Sequence, residues 1–589
     1  ANTSFFAVLL GSDNGGTVTP TDNSVTDSKI PSSGGFTIGA TGTASTLAGI
    51  PFFSDTSNKS MYTHDVSGTD STAAGNTAFG FTAMDAITTG DDNVAIGENA
   101  ATALTTGSNN VAIGKNAFAA ATTAGRNICI GDGAGQAMGV DGGTAAHVFI
   151  GHNAGNDCTS NAYSIFIGGF AGDGHDTESH NIGIGYDALG GSVAGGEYNV
   201  AMGNYTLDAL TSGDENIAIG YQALSTLQAG SDNVAIGSNA LALALNADFN
   251  TAVGHQAGTA ITSGGNNTAI GYNAGSANQS GADTVYIGYQ AGTACTSSGN
   301  VLIGKDAGLS MTSGESNIHI GIRAGDGYDT ESNNLSIGAD ALGGAVAGGE
   351  YNVAVGNFTL DALTSGDNNT AVGYNALTAV GSGYDNVAVG FEALVAHTDG
   401  QGMTCVGYRA GQTNQTGGSS ICIGRGSDVS GSNNSNSIAL GINIGASSNQ
   451  FRFGKSGAHV SNSFDSNANF SQASDERKKK NIRDQKLGLD FINELRTVSY
   501  NWKPSNEFPK EWDSYSETNE QNLDVTMHGM IAQEVKAAID KYADETDKKF
   551  NGWSEDTDGM QNLSREMFVI PLIKAIQELS AKVKALEEA

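Results

Sequence analysis

Between about residues 76 and 445 the apolar and polar positions repeat one short phrase, roughly Asn-x-Ala-Ile-Gly-x-x-Ala. Its glycine recurs 22 times from Gly80 to Gly441, and 17 of the 21 intervals are 17 residues long. The four exceptions are 20, 18, 16 and 18 residues. A fixed short period is the signature of a stacked solenoid, in which each repeat contacts only its neighbours. A longer copy is superimposed, because residues 171–224 nearly match residues 324–377 at an offset of 153, which is nine rungs of 17. Duplication in whole rungs preserves the stacking register.

The rung Asn110–Ala117 reads as follows. Val111 and Ile113 alternate with Ala112, the period of a strand. Gly114 permits a sharp turn, and Ala117 is small enough for close packing. A weaker apolar stretch follows, then a turn such as Thr211-Ser-Gly-Asp214. Seventeen residues therefore predict two short strands and two turns, one coil of a parallel β-roll. At about 4.8 Å per rung the shaft is on the order of 100 Å long. Asn93, Asn110, Asn216, Asn233, Asn352, Asn369 and Asn386 fall in one column. They predict an asparagine ladder that satisfies turn backbone groups. Calcium held by the Gly-Asp-x-Asn turns is the alternative, although no turn carries the full GGxGxD pattern.

Composition narrows the function classes. Glycine is abundant (83 of 589) and proline scarce (6), which fits many tight turns between short strands and not a disordered linker. Residues 1–473 carry 10 basic and 38 acidic side chains, whereas residues 474–589 carry 17 and 23. A shaft this acidic repels nucleic acid and anionic membranes, so neither nucleic-acid binding nor membrane insertion is expected. The charge serves solubility of a long exposed body. No segment has the length or flanks of a membrane span or signal peptide, so export through a cleavable signal is not expected. Cys129, Cys158, Cys295, Cys405 and Cys422 are odd in number and lack CxxC spacing. Cys129, Cys405 and Cys422 share one small-residue position of the repeat and read as buried hydrophobes, consistent with a reducing folding compartment. No metal or cofactor is expected.

The repeated phrase resembles the head repeats of trimeric autotransporter adhesins, although the usual period there is shorter. The resemblance implies parallel β-rolls packed as three chains. A 17-residue coil encloses little core, and association supplies the missing buried surface.

After residue 446 the repeat stops, and residues 446–473 read as irregular strand and linker. The charge pattern changes at Ser474-Asp-Glu-Arg-Lys-Lys-Lys-Asn-Ile482. Further on come Leu489–Arg496, Val498–Trp502, Gly529–Val535 and Pro571–Leu579. These four stretches, in this order after Ser474-Asp475, Lys479, Asn481 and Ile482, resemble the intramolecular chaperone of endosialidases and other phage fibres, the S74 peptidase family. The resemblance implies a small α+β domain over residues 474–589 that trimerises, guides folding of the shaft, and then cuts itself off between Ala473 and Ser474. It makes Ser474 the nucleophile and Lys479 its base; Asp475 matches the motif and is expected to orient the turn. A serine hydroxyl needs such a base. A lysine serves only if its amine is made less basic by burial or by cationic neighbours, here Arg477, Lys478 and Lys480. His528 is a second candidate for proton transfer. Val569, Leu572, Ile576, Leu579, Val583 and Leu586 are spaced 3, 4, 3, 4 and 3, an a/d seam for a closing coiled-coil helix.

These readings predict a homotrimeric phage tail fibre or tail spike, a virion protein assembled in the host cytoplasm. Residues 1–75 would join a tail or adapter protein. The shaft would bind a host-surface receptor, a glycan or outer-membrane component. The enzymatic activity expected is self-cleavage. Three alternatives share parts of the chain. A polysaccharide-degrading tailspike needs two converging carboxylates, and the repeats offer Asp and Glu mainly in turns. A bacterial trimeric adhesin and a membrane-tethered transcription regulator need segments not found here.

Overall fold

Twenty-two three- to five-residue strands, from Thr77–Phe79 to Ile438–Ile442, follow the repeat one per rung. Each pairs in parallel with the next, so Ala95 lies opposite Ala112 and Ala112 opposite Cys129. The computed structural model describes residues 45–47, 50–55, 60–63, 72–139, 146–160, 162–191, 195–344, 348–464, 475–510, 512, 515–518, 523–544, 547–557 and 559–589. These fall into two compact units, Ala1–Gln472 and Ala473–Ala589. The first is the expected β-solenoid, and the second is a small α+β unit ending in a helix.

One detail of the rung differs from expectation. The second apolar stretch forms no strand in most rungs, because alternate residues are left-handed: in the rung of Gly114, Asn116 and Phe118 have φ of 55° and 56°. A residue in that region cannot continue a strand. The stretch instead coils back while its backbone still bonds to the next rung, as where Phe118 N donates to Ala134 O at 2.9 Å. Gly114 has φ of 137°, and a Cβ there would be driven into the carbonyl of Gly131, its equivalent one rung on.

The asparagine column is the predicted ladder. Asn110 donates from its backbone N and its Nδ2 to Asn93 Oδ1, at 2.9 and 3.0 Å, and from Nδ2 again to Ala124 O at 2.9 Å. Its own Oδ1 then accepts from Asn127. Where asparagines follow one another, as at Asn93, Asn110 and Asn127, each amide bonds to the next; His147, Ser164 and Thr284 interrupt the column. The off-period intervals leave the strand register intact, since Cys129 still faces Phe149 and Gly183 still faces Ala201.

The interior is built from small residues. The middle residue of each strand is buried, usually alanine, while the flanking Val, Ile or Met face outward. Cys129, Cys405 and Cys422 hold this middle position, buried and unbridged. A second interior position, four residues after the glycine, is itself glycine wherever the strand centre carries a ring. Ala218 and Ala235 sit with Leu224 and Leu241, whereas Phe166, Tyr286 and His319 sit with Gly172, Gly292 and Gly325. A Cβ on Gly172 would lie 2.5 Å from the Phe166 ring. A third interior position, three residues further on, is filled by Leu210, Leu227 or Leu363 in other rungs.

Outside the first rung, strands Ser45–Leu47, Ile50–Asp55 and Ser60–Tyr62 run antiparallel, and the last pairs with Thr77–Ala78. The rest of the 1–75 region read as an attachment segment lies largely outside the described residues. At the other end the stretch expected to be irregular forms a hairpin, Gln450–Lys455 with Ala458–Ser463. Arg452 takes the register place opposite Ala439 and donates to Gly445 O, ending the core column with a charge.

Two predictions follow from this packing. Phe166→Ala should lower stability by about 3 kcal/mol through the cavity it leaves. Adding Gly172→Leu should restore most of it, since Leu189 and Leu207 already occupy that position at φ of 55° and 50°; thermal melts of both variants check this. The second concerns buried histidines. Burial holds His175 down at about 4 and His319 at about 3, against the pull of the buried Glu178 on His175. Both are neutral when folded and take up protons on unfolding below about pH 6.5. Stability is therefore full above that value and falls as pH drops, by on the order of 1 kcal/mol per pH unit for each histidine. His175 has no hydrogen-bond partner on either ring nitrogen. His175→Leu should change the melting temperature little at pH 8 and gain progressively over wild type between pH 6 and 4.

Candidate functional site in the C-terminal unit

Leu487, Phe491, Val535, Ala538, Ile539 and Phe568 form the core of the second unit. Phe491 comes from α1 (Leu489–Glu494), Val535, Ala538 and Ile539 from α2 (Ala532–Tyr542), and Phe568 from the 3₁₀ turn that leads into α3 (Val569–Glu587). Helix α1 starts at Gly488, which offers no capping side chain. Glu578 of α3 fills that role, its Oε2 accepting from Leu489 N at 2.8 Å. A Cβ on Gly488 would strike the same carboxylate, so the glycine is what admits it. Arg496 and Glu534 form a two-pronged pair at 2.5 and 3.0 Å, tying the end of α1 to α2.

Ala473 and Ser474, the predicted cleavage pair, lie outside the described residues. Asp475 is the N-cap of a short 3₁₀ turn, Glu476–Lys478, with its Oδ1 accepting from Arg477 N at 2.9 Å. The same carboxylate pairs with the Arg477 guanidinium at 2.6 Å. Arg477 is thereby neutralised and is less effective as a cationic neighbour of Lys479. Lys479 closes the turn, its N donating to Glu476 O at 2.9 Å, with its side chain exposed. His528 lies opposite Ser499 in the strand pair Val498–Tyr500 and Met527–Gly529, with Ser499 Oγ 3.3 Å from its Nδ1.

All six seam residues lie on α3 and are 45–79% exposed. Ile570 and Ile573 are exposed as well and widen the stripe, which the strict 3-4 spacing did not reveal. The opposite side of α3 is different: Pro571 and Ala575 are buried. Proline is tolerated there because it stands in the first helical turn, where its missing N–H has no partner to lose.

Residues 474–544 match the family model described as Peptidase_S74, chaperone of endosialidase. The match begins at Ser474 and ends before α3. No curated protein matches the chain. The protein thus joins a long β-solenoid to a C-terminal chaperone segment of the endosialidase type. Among the described residues no helix is long and apolar enough to cross a membrane.

Glu578→Ala should uncap α1 and lower protection of the Leu489 amide by about 1 kcal/mol, read by hydrogen exchange on the whole chain. Glu578→Gln, which keeps an acceptor, should lose less.

Proposed function

We propose that this protein is a homotrimeric bacteriophage tail fibre or tail spike that adheres to the host surface, and that its C-terminal unit templates the trimer and then removes itself. The observation that carries this reading is apolar surface left uncovered by one chain. Along the solenoid, residues flanking the buried strand centre form two outward columns, among them Ile96, Ile128, Ile217, Ile236 and Ile270, each 37–38% exposed. On α3 the seam of Val569, Leu572, Ile576, Leu579, Val583 and Leu586 is barer still. Continuous apolar surface of this extent marks an interface. Three parallel copies cover both: shaft faces against one another, seams as a coiled coil. The family match supports the chaperone role, and a trimer is what that family implies.

Three chains joined at their C-terminal helices have a high local concentration for pairing their shafts. That matters because parallel rungs start slowly when each must close a loop before it gains a contact. In the proposed cleavage Ser474 attacks the Ala473 carbonyl carbon, and Lys479 takes the hydroxyl proton. The Ala473–Ser474 C–N bond breaks, the Ser474 nitrogen takes the proton back from Lys479 and becomes a free α-amine, and Ala473 is held as an ester on Ser474 Oγ; water then hydrolyses that ester, freeing the Ala473 carboxylate and the Ser474 hydroxyl. Lys479 is exposed in a single chain, and partner copies in the trimer would provide the cover that a lysine base needs. Loss of the helper makes unfolding hard to reverse, so the shaft is kept by a barrier. Residues 1–75 would join the tail, and the shaft would carry the receptor contacts.

Wild-type protein should run on a denaturing gel shortened by residues 474–589, and Ser474→Ala should run at full length. A shortened band from Ser474→Ala would end the assignment of the nucleophile. Light scattering on both should report three chains.

A further inference from the structure

The ten basic residues of 1–473 are unevenly spread: Arg409, Arg425, Arg452 and Lys455 crowd into the last rungs of an otherwise acidic shaft. A pocket of about 420 Å³ opens there, lined by Tyr408, Arg409, Gln412, Arg425, Asp428 and Asn443. It exists because the repeat changes at this rung. Four residues after Gly424, where other rungs bury Leu or Gly, stands Asp428. Asp428–Val429 then leaves the usual left-handed coil and pairs in parallel with Gly445–Ala446. Gly426 keeps the wall thin, since a Cβ there would run into Asn443 Oδ1.

The side chains are held in place. Tyr408 stacks on Phe391 at 5.3 Å and 8°, the end of a column that includes Tyr374. Over the Tyr408 ring sit two guanidiniums, Arg409 at 5.3 Å and Arg425 at 6.0 Å. Arg409 is also paired with Glu392 at 2.7 Å. Among the described residues Arg425 has no ion pair. Asp428 accepts from Thr413 N at 3.0 Å and Val429 N at 2.8 Å, which fixes its carboxylate in the wall.

We infer that this pocket binds a carboxylated sugar unit, its carboxylate on Arg425 and its hydroxyls on Asp428, Asn443 and Gln412. The volume suits one or two pyranose rings. A planar guanidinium recognises a carboxylate with two parallel hydrogen bonds. With Glu392 offsetting Arg409 and Asp428 in the wall, the pocket favours a singly charged, hydroxyl-rich group over a dianionic phosphate. The shaft's charge repels densely anionic chains, so the ligand is sparsely charged. This inference rests on the adhesion reading and names the chemistry one receptor contact would use.

The test is titration of the full-length protein with a uronic-acid disaccharide, the neutral disaccharide of the same linkage, and a sugar phosphate. The uronic acid should bind, and the neutral sugar and the phosphate should bind at least tenfold more weakly. Arg425→Gln should weaken uronic-acid binding tenfold or more, and Arg425→Lys by less. Asn443→Ala should cost a few-fold. Equal binding of the three sugars, or Arg425→Gln binding as wild type, overturns the inference, as does tighter binding of the phosphate. Arg425 is exposed, and an unchanged melt confirms that the variant is folded. Adsorption to host cells separates the two readings. Wild type that fails to adsorb counts against adhesion alone, because the titration still decides the pocket. Adsorption with no uronic-acid binding counts against the pocket alone.

Discussion

The close approach of successive glycines is the constraint on which the shaft depends. At each rung the chain must turn with a positive φ while its backbone lies against the next rung, and a Cβ at Gly97 or Gly114 would be driven into the carbonyl of the following glycine. This fixes the spacing of the strands and so the register. The asparagine ladder then holds the inside of the next corner, as where Asn110 is joined to Asn93 on one side and Asn127 on the other. Because every such contact is between nearest neighbours, the same solution is repeated along the rod.

From that spacing the interior follows. A coil closed by 17 residues is narrow, and a ring at the strand centre leaves room only for glycine four residues after the turn. The Phe-with-Gly pairs express that local fit more directly than a preference for any residue. What does not fit inside is turned out. The strand flanks carry Ile, Val and Met because a second apolar surface is available beyond the single coil, in line with the proposed packing of three chains.

Much of this was legible in the sequence, for reasons that can be stated. The period, the glycine turn and the asparagine ladder show in sequence because each requires one residue type at one spacing. The seam of α3 shows for the same reason. Which side of the strand faces inward was legible only through Cys129, Cys405 and Cys422, which mark the middle position as small and buried. Val111, Ala112 and Ile113 are all apolar, and alternation defines two faces without saying which one is enclosed. The missing second strand escaped because its left-handed positions are shared between residues that favour that conformation, such as Asn116, and residues that do not, such as Phe118. The cap of α1 by Glu578 joins residues 89 positions apart. The pocket beside Arg425 depends on one departure from the repeat, at Asp428, that periodicity counts as noise.

A rod of nearest-neighbour contacts has a weakness that bears on the second unit. No rung has a large core of its own, so no internal segment is a strong nucleus, and a chain could begin stacking in the wrong register as readily as in the right one. The 153-residue duplication makes this worse, since it offers a nearly identical second start. A unit with its own core of Leu487, Phe491, Val535, Ile539 and Phe568 can fold independently of that ambiguity. On the proposed reading, a unit fixed to the C-terminal end of the shaft makes the last rung the first to pair and leaves register to propagate in one direction. On the proposed reading, the helper is needed because the shaft is so regular, and it can be discarded because a completed stack no longer has a choice of register.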